Sequence, residues 1–108
     1  MVDRWGKWIE EDFSSVYYPP FACGSGNLLS HSLAKWLSNN SPYLFHYQGE
    51  DVSLGIWLSA INPSLVDNNL WVCNEKCIPA MIVSAQNNIT HMNMLWENRE
   101  TCGNPCNC

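Results

Sequence analysis

YQGEDVSLGIWLSAI, residues 47–61, carries the first reading of this chain. Gly49-Glu50-Asp51 turns the backbone, and VSLGIWLSAI (52–61) is apolar on most sides, so it reads as a buried helix that Asn62-Pro63 ends. Two carboxylates thus stand at the N-terminus of a nearly all-apolar helix. A carboxylate there accepts free backbone N–H groups and feels the positive end of the helix dipole, which keeps it ionised. A plain helix cap accounts for a lone Asp in that place. The surroundings raise a chemical reading beside it: acids are sparse nearby, the helix behind is buried, and a Gly-rich segment lies shortly before. An ionised carboxylate on a buried scaffold, next to backbone that can be closely approached, suits a general base.

Upstream, YYPP (17–20) must be extended, because each Pro restricts the residue before it. FACGSGNLLS (21–30) reads as a strand with an odd centre, Gly24-Ser25-Gly26. Two glycines in a strand mark either close approach by a ligand or backbone, or a bulge or tight bend. Ser30 then caps a helix, HSLAKWLSNN, whose Leu33, Trp36 and Leu37 recur at helical spacing and bury one face. Asn39, Asn40 and Pro42 stop it. YLFHY (43–47) predicts a short strand, and residues 1–15 an entry loop or frayed strand. Downstream, 65–72 and 79–84 read as strands flanking a C-x3-C loop. Ile89, Met92, Leu95 and Trp96 mark a last amphipathic helix capped by Asn88 or Thr90. The alternation predicts an α/β layer. It starts mid-pattern, with no first βαβ unit, and so predicts the back part of a larger domain.

The 108 residues suffice for one domain at most. A net charge of −5, with Arg4, Lys7, Lys35, Lys76 and Arg99 scattered, argues against a nucleic-acid or polybasic membrane surface. Apolar residues at 46%, six of them Trp, exclude intrinsic disorder. LGIWLSAI (54–61) is far short of the ~20 residues that span a bilayer. MVDRWGKWIEED (1–12) is acidic and amphipathic, without the apolar centre of a signal peptide.

Six cysteines are dense for this length. Cys23 stands alone, Cys73 and Cys77 form C-x3-C, and Cys102, Cys106 and Cys108 form C-x3-C-x-C. Four thiolates from the two C-x3-C pairs fit a structural zinc site; the same pairs fit disulfides that clip a secreted domain. Sequons tilt the balance to disulfides of the secretory pathway. Asn88-Ile89-Thr90 is a good N-glycosylation acceptor, and Asn39-Asn40-Ser41 a poorer one because Pro42 follows. If Asn88 caps the last helix, its side chain is expected to be unavailable to a glycan. The pairing among six Cys stays open.

YPPFACGSGNLLSHSLAKWL (18–37), followed by YQGEDVSLGIWLSAI (47–61), resembles the C-terminal half of the β-1,3-glycosyltransferases of family 31. The likeness runs through residues 5–108 and is strongest to the β-1,3-N-acetylgalactosaminyltransferase branch, with FACGSG, YQGEDVS-G-W, LW-C-x3-C and a closing LW…CG-P-C-C. It implies an α/β fold of GT-A type, the chain being the acceptor-side part (1–108) of the catalytic domain with a Cys-rich tail at 102–108. It implies an inverting hexosyltransferase that moves a sugar, GalNAc by branch, from a UDP-sugar donor in β-1,3 linkage to a glycan acceptor in protein glycosylation. Asp51 matches the catalytic base, which takes the acceptor hydroxyl's proton in a single inverting displacement. Glu50 would orient the acceptor or hold the turn, while Gly24, Ser25 and Gly26 floor the sugar site. Tyr18 and Phe21 are candidates to stack on sugar, with burial the competing role; Trp57 is read as packing.

The resemblance also implies Mn²⁺, and here the sequence departs from the family. No Asp-x-Asp occurs, and the late His that many members supply to the metal falls near Ser84 and Ala85. His91 lies further on, inside the last helix, and is not assigned to metal; His31 and His46 read as surface or packing residues. The uridine-binding half and the N-terminal membrane anchor are absent from these residues. Location in the Golgi or endoplasmic reticulum lumen, as a type II membrane protein, is therefore an expectation for the longer protein. This chain alone is expected to be inactive, with an unpaired sheet edge that invites aggregation. The competing function is a non-catalytic binding module stapled by disulfides or zinc.

Overall fold

The computed structural model describes residues Met1–Cys108, which form two compact units, Met1–Leu65 and Val66–Cys108. No helix is long and apolar enough to cross a membrane. Three helices and a small sheet make the chain mixed α/β.

In the first unit, residues 1–15, expected as an entry loop or frayed strand, form a loop wound around Arg4. Its guanidinium donates to the carbonyls of Glu10 (2.6 Å), Phe13 (2.7 Å) and Ser15 (2.9 Å). The Val2 N–H donates to Val16 O at 2.8 Å and ties the two ends together. Helix α1 (His31–Asn40) begins as read: Ser30 is extended and its Oγ accepts the Leu33 N–H. Leu33, Trp36 and Leu37 are half-buried, not fully buried, so the apolar face is only partly covered. A 3-10 turn, Ser41–Tyr43, follows with Pro42 in its first turn, where the missing N–H costs nothing. Helix α2 (Glu50–Ser59) buries Ser53, Gly55 and Leu58.

Two expected strands are not formed. In 21–30 the chain bends at Gly24-Ser25, the Gly26 N–H reaching back to Cys23 O at 3.3 Å. Gly26 has φ 146°, a backbone region that only glycine enters without strain. The glycines of Gly24-Ser25-Gly26 thus serve a bend, not a strand. Leu44 is extended, and residues 44–47 join no ladder. Extended segments become strands only where a neighbour supplies backbone partners, and 21–30 and 43–47 find none.

In the second unit, the strands expected at 65–72 and 79–84 shrink to β1 (Trp71–Val72) and β2 (Val83–Ser84), paired in parallel with Trp71 opposite Val83. Helix α3 (Ile89–Cys102) is capped by Asn88, whose Oδ1 accepts the His91 N–H at 2.8 Å. Gly103, at φ 78°, ends it and donates to Arg99 O. Only Leu95 of its apolar stripe is buried; Ile89, Met92 and Trp96 are exposed, against expectation. Periodicity marks a face but cannot supply the surface that covers it.

No cysteine is free. Cys77 bonds Cys106, and Cys102 bonds Cys108, so the C-x3-C pairs are not bridged internally. Zinc needs thiolates, and these sulfurs are oxidised; the zinc reading gives way to disulfides. Cys73, the remaining candidate of that loop, is likewise not a free thiol.

Candidate active site

The site is assembled at the start of α2. Gly49 holds the N-cap position with extended backbone and no side chain to cap the helix. The next two residues put their carboxylates into the first turn. Asp51 is half-buried, and its Oδ1 accepts the N–H of Val52 at 2.8 Å. A methyl group at Gly49 would lie 3.0 Å from that same Oδ1, and one at Gly24 would lie 3.2 Å from Oδ2. The Asp51 carboxylate therefore sits between two stretches of bare backbone, one from its own turn and one from the 23–26 bend. Both glycines leave room for the oxygens. Oδ1 is engaged by the Val52 N–H at the helix N-terminus, while Oδ2 lies beside exposed Gly24 and accepts no hydrogen bond from the protein. A carboxylate held this way can accept a proton from an incoming hydroxyl.

The other candidates divide. Glu50 is exposed, and no hydrogen bond joins its side chain to the turn. Ser25 and Gly26 are half-buried in the bend beside Gly24, with Ser25 Oγ 2.7 Å from Cys23 Sγ. Tyr18 stacks on Phe13, centroids 5.5 Å apart, and meets Phe21 edge-on at 5.8 Å. One face of the Tyr18 ring is thus taken by protein. Burial pushes its hydroxyl pKa up, and the negative charges of Glu10, Asp3 and Asp51 add to that rise. Phe21 stays 43% exposed. Trp57 donates from Nε1 to Phe45 O at 2.6 Å and lies edge-on to His46, behind the site.

Gly55 explains how α2 reaches the 18–26 segment. A methyl there would stand 2.9 Å from Pro20 O and 3.1 Å from Phe21 Cα, both main-chain atoms. Only a glycine lets helix and loop approach so closely.

Two residues that sequence reasoning passed over position the turn. Glu10 is 3% exposed. Its Oε1 accepts the Asp12 N–H and its Oε2 the Gln48 N–H, each at 2.8 Å. Burial alone would raise its pKa; donation by the backbone of Gln48, Asp12 and Phe13, aided by Arg4, outweighs it and holds the carboxyl below its ordinary value. Ser53, 2% exposed, accepts the Tyr47 N–H with Oγ at 3.1 Å and donates back to Tyr47 O. The two residues before Gly49 are therefore pinned, one by the entry loop and one by α2. Nothing local separates Glu10 from Glu11 or Asp12, since its decisive partner is distant in sequence. Ser53 carried a signal: a polar residue inside an apolar helix needs a buried partner.

No three His, Cys, Asp or Glu side chains gather in a way that could hold a metal ion. The residues of this chain do not fit the Mn²⁺ that the resemblance implies.

Comparison with known proteins agrees with the motifs. The family model described as Galactosyltransferase matches residues 3–69, which include every residue of the site. The UDP-GalNAc:beta-1,3-N-acetylgalactosaminyltransferase 2 of Xenopus tropicalis is 50% identical over 99% of this chain, and that of Homo sapiens 48% over the same share. A hydroxyproline O-galactosyltransferase of Arabidopsis thaliana is 31% identical over 88% of the chain. The chain spans only 22%, 21% and 15% of the length of these three relatives. No solved structure matches. The chain belongs to the galactosyltransferase family, glycosyltransferase family 31.

Proposed function

We propose that this chain forms the acceptor side of an inverting hexosyltransferase of GT-A type, which moves GalNAc from UDP-GalNAc in β-1,3 linkage onto a glycan in protein glycosylation. The observation that carries the reading is Asp51, with Oδ1 bound by the helix and Oδ2 over the bare backbone of Gly24. The donor sugar follows the printed names of the Xenopus and human relatives. In the step proposed, Oδ2 takes the proton of the acceptor hydroxyl. The freed oxygen bonds to the anomeric carbon as the bond from that carbon to UDP breaks on the opposite face. Gly24, Ser25 and Gly26 floor the sugar site, Phe21 offers an exposed ring edge or face to it, and Glu50 reaches toward the acceptor from the exposed side. Tyr18 holds Phe21 in place.

No step is routed through a metal, which these residues do not hold. The diphosphate leaving group finds no carboxylate cradle here, so this chain alone is proposed to be inactive. Disulfides such as Cys77–Cys106 and Cys102–Cys108 support an oxidising compartment such as the Golgi or endoplasmic reticulum lumen, where the longer protein would be anchored.

The test is Asp51→Asn in the longer enzyme. Turnover falls by about 10²–10⁴-fold, the share a general base supplies, while UDP-sugar binding, read by calorimetry, is retained. Unchanged turnover would move the base to another residue.

A further inference from the structure

We propose that Asn88 carries an N-linked oligosaccharide, an assignment independent of the transferase reading. Asn88-Ile89-Thr90 is an acceptor sequon, and all three residues are exposed, Ile89 at 76%. The cap at the head of α3 had been expected to compete with a glycan. It does not, because cap and glycan use different atoms. Oδ1 accepts the His91 N–H at 2.8 Å, whereas Nδ2, the atom that bears the sugar, makes no hydrogen bond. Asn88 also lies outside the helix, with extended backbone at φ −76° and ψ 168°. The poorer sequon differs on both counts: Asn39 is inside α1 and Pro42 follows its Ser41.

A second observation points to the same place. Ile89, Met92 and Trp96 are 76%, 54% and 63% exposed and share one face of α3. Trp96 lies about 12 Å along the helix from Asn88 at 1.5 Å per residue, within the span of a branched oligosaccharide rooted at the cap. The glycan shields an apolar stripe that the polypeptide leaves open. The disulfides Cys77–Cys106 and Cys102–Cys108 place this unit where the modification is made.

The reaction is a group transfer. The bond from the sugar's anomeric carbon to a lipid-linked diphosphate breaks, a bond to Nδ2 forms, and one Nδ2 proton is released. The lipid diphosphate-linked oligosaccharide is the co-reactant.

The experiment expresses the full chain, within its longer protein, in a eukaryotic secretory pathway and reads glycosidase-sensitive gel shift and the mass of the Asn88 peptide. Thr90→Ala keeps Asn88 and its cap, and Asn88→Asp keeps a capping oxygen while removing the nitrogen. Both remove one glycosidase-sensitive step, whereas Thr90→Ser retains it. Recovery of the Asn88 peptide wholly unmodified overturns the proposal. So does a shift that survives both Thr90→Ala and Asn88→Asp but disappears in Asn39→Gln.

Discussion

A methyl group placed on Gly24 would stand 3.2 Å from Oδ2 of Asp51. The bend and the acidic turn are thus close enough that one methyl would crowd the gap between them, although 27 positions separate them in the chain. That closeness decides what Gly24→Ala does. Gly24 is exposed and its φ lies outside the left-handed region, so the backbone accepts alanine. The methyl instead displaces Asp51 by a few tenths of an ångström. Turnover of the longer enzyme is expected to fall about 10-fold, less than the ~10² that a 1 Å misplacement can cost. The melting temperature stays within a degree or two. Steady-state kinetics and a thermal scan on the same preparation check both halves.

Gly55→Ala tests packing instead of chemistry. Alanine gains about 1 kcal/mol of helix propensity over glycine. Against this, its methyl meets Pro20 O and the Phe21 main chain, which cannot rotate away as a side chain could. Overpacking costs about 1–3 kcal/mol, and the observed change should be a net loss of stability in a urea titration. A stabilised Gly55→Ala variant would show that α2 and the main chain of Pro20 and Phe21 are not in close contact.

Glu10 makes stability depend on acid. Its folded pKa lies below the ordinary value of 4.5, so the unfolded chain binds the proton more tightly. Its contribution is therefore fully present above about pH 4.5 and is lost as the pH falls through the depressed folded value. Glu10→Gln keeps one carbonyl oxygen and turns an amide toward a backbone N–H. The expected loss is about 1–3 kcal/mol near pH 7, the cost of a buried group left unpaired. Below pH 4 the gap between variant and parent narrows. Denaturant midpoints measured from pH 7 to pH 3 give the comparison; a gap that widens on acidification would contradict the direction assigned to Glu10.

The Cys77–Cys106 and Cys102–Cys108 disulfides should differ in weight. Cys77–Cys106 spans 29 residues and Cys102–Cys108 spans 6. Loop-closure entropy makes these worth about 4 and about 2 kcal/mol. Replacing each pair by serines and comparing unfolding free energies tests the order. Thiol titration of the denatured parent should find few reactive groups until reductant is added, with or without chelator.

The sequence by itself determined what depends on near neighbours. The three helices, the Ser30 and Asn88 caps and the carboxylate at the head of α2 were legible, because helix hydrogen bonds and caps join residues at most four positions apart. The motif resemblance fixed the family for the same reason: its signatures are local strings. Strands were over-read at 21–30 and 43–47, since extension is a local property and a ladder is not. Only the tertiary structure decided that Cys77 pairs with Cys106, that Glu10 and not Glu11 receives the Gln48 N–H, and that Gly24 lies against Asp51. Each of these joins residues more than twenty-five positions apart, and such meetings are settled by the packing of the whole unit, which no short window of sequence contains.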